Sequence, residues 1–353
     1  MPKKALRLFI IIFCIILILG LAAATVTIGA AIYLNSPPQT QALPGEEGMR
    51  LDGNFLILEV RGGEAASSVG RRLENAGVIR SQFFWQILSR LSKEHIKAGT
   101  YRIELPQNIV KIHSILVAGE QLLIRVTIPE GSTLRRTAGI LEEAGICNAE
   151  DFLAAASSRE ILDRFEIPGE TMEGYLFPDT YLFPLAFPAH MVVSIMAETL
   201  FQRLEDILGI DIKTPAEIND RVIIASIVER EYRIPEEAAL MAGVFLNRLG
   251  IGMALQSCAT VEYVITEILG QPHPRVILLR DLEIRNPFNT YLIPGLPPGP
   301  ISAPGEISLR AAFNPTNSNY LYFRLIDSAA GRHYFSHTYD DHIRAGTLYT
   351  KGI

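Results

Sequence analysis

Hydrophobic and polar positions along this chain change pattern several times. From residue 8 to residue 34 no side chain is charged, and the run exceeds the roughly 20 apolar residues a helix needs to cross a bilayer core. Residues 35–54 turn to Pro, Gln, Gly and Glu, with Pro37-Pro38 and Pro44-Gly45, the composition of an extended tether that spaces the rest of the chain from the membrane. A strand-like run at 55–60, a helical pattern through Leu73, a second helix from Ser81 and a strand at 100–105 then predict a small βααβ module.

The pattern repeats without a gap. Val60, Gly63, Leu73, Glu74, Ala76, Gly77 and Phe84 are echoed by Ile128, Gly131, Leu141, Glu142, Ala144, Gly145 and Phe152, so a second βα unit is expected, with Ser132 as helix N-cap and Gly145 as helix stop. Helices are predicted at 191–208, 221–234 and 236–249, with Pro235 suited to the first turn of the last. Beyond residue 270 the chain is rich in Pro, Gly and aromatics and ends in short strand-like runs. The expected fold class is α+β, divided into 1–34 (cytoplasmic tip and transmembrane anchor), 35–54 (linker), 55–125 (first module), 126–170 (second βα unit) and 171–353 (a mixed α+β catalytic domain).

Charge gives this layout an orientation. Lys3, Lys4 and Arg7 precede the apolar run, so the positive-inside rule keeps the N-terminus in the cytoplasm and everything after Tyr33 outside, on a single-pass, uncleaved anchor. The net charge of −6 lacks the basic footprint of nucleic-acid binding. Cys14, Cys147 and Cys258 have neither disulfide-framework nor metal-ligand spacing. His333 and His337 share strand parity, but with no accompanying ligand motif they read as structural, His342 being undetermined. A P-loop, a nucleophile elbow and a dinucleotide fingerprint are missing, and the expectation is no metal and no cofactor.

Candidate chemistry comes from a carboxylate in an apolar pattern. On an ideal helix Ile224, Ile227, Val228 and Glu231 fall on one stripe, whereas Glu229 falls on the opposite, solvated side. A carboxyl on such a stripe is costly to ionise and stays protonated as a general acid must, unless it lies near the helix end, where the stripe meets solvent, or pairs with an arginine such as Arg248. The aromatic stretch at 173–184 suits equally a packed connection between domains and the wall of a sugar groove.

Ala225 to Glu231, Val244 to Leu249 and Gly252 to Ser257 resemble the endolytic murein transglycosylases, the YceG-like family. The likeness continues in Glu173 to Tyr181, Asn289-Thr290-Tyr291, Gly295 to Ile301 and Tyr320 to Phe323. The resemblance implies that 55–125, with Ala98-Gly99-Thr100-Tyr101, is a LysM-like glycan-binding module. It also implies that Glu231 is the catalytic acid and base. Gln256, Asn289, Thr290, Tyr291 and Asp179 become candidates for holding substrate, and Glu229, Asn247 and Arg248 for supporting the site. Two departures stand out: Tyr232 where the family usually has Thr, and Cys258-Ala259 where it commonly has Asp-Pro. The implied reaction is non-hydrolytic cleavage of the MurNAc–GlcNAc bond within peptidoglycan, leaving 1,6-anhydromuramyl ends. The partners implied are glycan strands, the cytoplasmic membrane and the cell-wall synthesis machinery. A hydrolytic muramidase and a non-catalytic wall-binding scaffold are the alternatives.

Overall fold

The computed structural model describes residues 3–38, 47–209 and 215–349. The chain divides into two compact units, 1–123 and 124–353. The fold is mixed α+β, with one N-terminal helix long and apolar enough to cross a membrane.

The first unit holds α1 (Lys3–Asn35), β1 (Met49–Asp52), β2 (Phe55–Val60), α2 (Ala66–Asn75), α3 (Gln82–Leu91), β3 (Gly99–Glu104) and α4 (Ile109–Ala118). The three strands form an antiparallel sheet in the order β1-β2-β3. Leu56, Leu58, Val69, Leu73, Tyr101, Ile112 and Leu116 pack into its core around Trp85, whose indole N–H donates to the Ala66 carbonyl at 2.7 Å.

Two features correct the expected tether. Residues 49–52, assigned to the linker, are strand β1, because Met49 packs into the core and the strand pairs along β2. The end of α1 is also gripped by the module. Arg80 Nε donates to the Ser36 carbonyl at 3.2 Å and Nη2 to the Pro37 carbonyl at 2.9 Å. Its guanidinium lies 4.7 Å from the centre of the Tyr33 ring, and the Val110 N–H donates to Asn35 Oδ1 at 3.0 Å. The Pro44-Gly45 part of the tether lies outside the described residues.

The second unit begins within β4 (Leu123–Thr127) and continues through α5 (Leu134–Glu143), α6 (Ala149–Ala156), α7 (Arg159–Arg164) and β5 (Thr180–Pro184). The sequence echo is structural: α2 and α5 are both ten-residue helices at matching positions. Each is followed by a left-handed glycine, Gly77 at φ 67° and Gly145 at φ 70°, which ends the helix where a side chain would be strained. The N-cap differs from expectation. Thr133 accepts from the Arg136 N–H, while the Ser132 hydroxyl donates instead to the Pro129 carbonyl at 2.6 Å. The second copy pairs β4 with β5 and shares one hydrophobic core with the later helices.

Those helices are α8 (Ala189–Leu208), α9 (Pro215–Glu229), α10 (Pro235–Gly250), α11 (Cys258–Tyr263) and α12 (Glu306–Phe313). The hairpin β6 (Tyr322–Asp327) and β7 (Arg332–Ser336) and the helix α13 (Tyr339–Tyr349) complete the unit. Every residue of α9 from Val222 to Val228 is buried, as expected for a central helix packed by α10 and α12. The aromatic stretch is core: Tyr175, Phe177, Tyr181 and Phe183 are buried, and Tyr175 and Tyr181 donate to Asn219 Oδ1 at 2.8 Å and to the Phe177 carbonyl at 2.7 Å.

Candidate active site

The segment that carries Glu231 is short because Pro235 opens the next helix. A residue before proline is driven to extended backbone, and Ile234 has φ −124° and ψ 134°. The α9 helix itself ends earlier, at Glu229, five residues before the expected end, and Glu231 is not on it. Arg230 and Glu231 close the end with i→i−3 bonds, to the carbonyls of Ile227 and Val228. In such a tightened turn residue i+3 eclipses residue i, so Glu231 follows Val228 by a route other than the α-helical stripe.

Glu231 lines a cleft of 1020 Å³. Ser257 Oγ donates to its Oε1 at 2.5 Å. Burial pushes its carboxyl above the ordinary carboxylate range, against the opposing pulls of the Ser257 hydroxyl, the Ala259 N–H and the Arg230 charge. Arg230 itself is paired with Glu262, which also meets His273 Nε2 at 2.7 Å. Arg230, Arg233, Arg248 and Arg324 all line the cleft.

Of the other expected site residues, the structure brings Gln256, Tyr291 and Arg248 to this cleft. Gln256 is exposed and has the left-handed φ of 50°, held by its N–H on the Thr290 carbonyl at 3.1 Å. The Tyr291 hydroxyl lies 3.1 Å from Cys258 Sγ, so the cysteine at the usual Asp position is also in the cleft. Arg248 donates to the carbonyls of Leu321 at 2.6 Å and Leu255 at 2.5 Å. It is anchored to backbone and has no carboxylate partner among the described ion pairs.

Asn289, Thr290, Asn247, Asp179 and Glu229 do not line the cleft. Asn289 is fully buried and donates to the carbonyls of Leu282 and Ile284 at 2.9 and 2.8 Å. Thr290 accepts from the Ser257 N–H at 3.1 Å, so it fixes the residue that holds Glu231. Asn247 donates to the carbonyls of Ser318 and Tyr320 at 2.7 and 3.0 Å. Asp179 accepts from Arg203 at 3.3 Å and from the Thr180 N–H at 2.7 Å.

Glu229 is a correction. It is half-buried rather than solvated, because the start of α12 covers that side: Gly305 N–H and Ser308 Oγ donate to its Oε2 at 2.8 and 2.5 Å. Burial pushes it up to about 7. Sequence reasoning gave Glu173 no individual role; it accepts from the Leu134 N–H at 3.1 Å at the start of α5, and burial pushes it up to about 8. Ser257, Arg230, Arg233 and Arg324 were also missed, although Ser257 and Arg230 stand inside recognised motifs.

His333 and His342 both line the cleft, and His337 does not. His333 Nδ1 pairs with Glu237 at 2.7 Å, and His337 stacks on Tyr320. His342 lines the cleft with its Nδ1 unpartnered, its basicity lowered by burial and by Arg324 and Arg248. Among the described residues no group of three His, Cys, Asp or Glu could hold a metal ion.

Residues 58–347 match the sequence profile of the YceG-like family. The chain belongs to that family. Relatives named endolytic murein transglycosylase occur in Streptococcus pneumoniae serotype 2 (strain D39), 27% identical over 321 residues, and in Bacillus subtilis strain 168, 26% identical over 311 residues. The pneumococcal alignment covers 82% of this chain and 57% of that relative, so the chain spans little more than half of its length. The Bacillus alignment covers 83% and 84%. A solved structure of a yceG-like protein from Listeria monocytogenes matches with a TM-score of 0.53 at 27% identity, covering 82% of this chain and 98% of that one.

Proposed function

We propose that this YceG-like chain is a single-pass membrane protein and an endolytic lytic transglycosylase. It cleaves the MurNAc–GlcNAc bond within peptidoglycan strands during cell-wall assembly or remodelling, leaving 1,6-anhydromuramyl ends. The anchor is α1, with the N-terminus cytoplasmic and the catalytic unit outside.

One observation carries this reading: Glu231 is the lone carboxylic acid among the described residues lining the cleft, and burial favours its protonated form. In that form Glu231 donates its proton to the departing glycosidic oxygen. As a carboxylate it then takes the proton from the muramyl C6 hydroxyl as that oxygen closes on C1. Ser257 holds the carboxyl in place through both halves. Hydrolysis by the usual glycosidase route calls for a second carboxylate, which this lining does not supply. The N-acetyl carbonyl of the substrate can assist departure instead.

The four arginines of the lining, set against one carboxyl, suit a polymer whose lactyl and peptide substituents carry carboxylates. Gln256 and Tyr291 are the residues for holding sugar. Thr290 acts through the Gln256–Ser257 backbone, Asn289 through the Tyr291 N–H that its Oδ1 accepts, and Asp179 and Asn247 act through the scaffold. The 55–125 module, LysM-like in sequence, serves to hold glycan.

The test is incubation of the purified protein with sacculi and identification of the ends on the released fragments. Anhydromuramyl ends with the native chain and none with Glu231→Gln are expected. Free reducing ends would favour the muramidase instead.

A further inference from the structure

We propose that the 47–122 module lies against the lipid surface, with Phe83 and Val110 immersed among the headgroups, an inference that rests on reading α1 as a membrane anchor. Three observations lead there. The uncharged run 8–34 makes about 40 Å of helix at 1.5 Å per residue, against a hydrocarbon core of about 30 Å. The last turn of α1, with Tyr33, therefore reaches the headgroup level, where tyrosine side chains are favoured.

That last turn is bound to the module rather than spaced from it. Arg80, just before α3, holds Ser36 and Pro37 and covers the Tyr33 ring, and Asn35 accepts from the N–H of Val110 at the start of α4. The starts of α3 and α4 are thereby fixed where the anchor leaves the bilayer. Both first turns expose an apolar side chain, Phe83 at 69% and Val110 at 45%. Lys111, beside Val110, is exposed and suited to phosphate. An aromatic and an aliphatic side chain beside a cation is the composition of an interfacial contact.

The test uses the full chain in vesicles of phosphatidylcholine and phosphatidylglycerol, with acyl chains brominated near the headgroup as quenchers. Phe83→Trp and Val110→Trp are compared with Leu91→Trp, a control at the far end of α3 that is exposed at 77%, and with the buried native Trp85. Quenching at 83 and 110 is expected to exceed that at 91 by at least about twofold, as for side chains at the acyl boundary. Arg80→Ala should abolish the difference by freeing the module from the helix end. Equal quenching at all three positions, or a contrast that survives Arg80→Ala, would overturn the proposal. Loss of the chain from vesicles in alkaline carbonate would overturn the anchor reading and this inference with it. Anhydromuramyl formation by the same preparations reads the enzymatic assignment separately.

Discussion

At the scale of single residues, three carboxyls are held in unlike ways. Glu231→Gln keeps size but removes the titrating proton, so anhydromuramyl formation should fall by about 10²–10⁴ with the melt preserved. Ser257→Ala has a more particular signature. The hydroxyl favours the ionised carboxyl, so its loss should raise the Glu231 pKa and move the alkaline limb of the activity profile to higher pH. An unmoved limb would mean that Ser257 only packs. Glu229 and Glu173 contribute to stability with a defined sign. Both are raised in the folded chain, to about 7 and about 8. Their contribution is complete below the unfolded value and is lost as pH rises through those values. The melting temperature should therefore climb as pH falls from 8 toward 5, and Gln at either position should flatten that slope. Glu231 stood out in the sequence because it continues the spacing of Ile224, Ile227 and Val228, yet the α-helical stripe that pointed to it does not exist past Glu229. Glu229 was misread because the donors that surround it, Gly305 and Ser308, come from 76 and 79 residues away, where no helical periodicity can reach.

At the scale of elements, α10 organises the far wall of the cleft. Its Gly243 lets backbone approach so closely that an added Cβ would meet the Thr316 carbonyl at 2.6 Å, and Thr316 N–H returns a bond to the Ala239 carbonyl at 3.0 Å. One turn on, Asn247 and Arg248 hold the carbonyls of 318, 320 and 321, which lead into β6. Asn247→Ala should cost about 1–3 kcal/mol by leaving those acceptors unpaired, and Gly243→Ala should strain the same contact. Both losses should be read as a lower melting temperature, with activity lost through the β6 wall rather than through Glu231. The repeated strand, turn and helix were legible because glycines and apolar positions recur at one spacing. The N-cap at Thr133 and the early end of α9 were not, since each turns on hydrogen bonds that neighbouring residue types permit without dictating.

At the scale of the molecule, a reporter fused after Leu34 should be active outside the cytoplasm, and the mature chain should keep its first residues. Mapping the N-terminus of the native protein decides this, and a start beyond Ala24 would defeat the anchor. Removing 55–105 should weaken binding to sacculi more than cleavage of short soluble glycans. The apolar span and the α+β class could be read from composition and period alone. The grip of Arg80 on the end of α1 could not, because it joins residues more than 40 positions apart. The lone indole of the chain is Trp85, sealed in the core of the first unit, whereas Glu231 belongs to the second. Intrinsic emission of the unaltered protein therefore follows the melting of one unit while turnover follows the other, and heating a single sample reveals whether the two halves lose their structure together or in sequence.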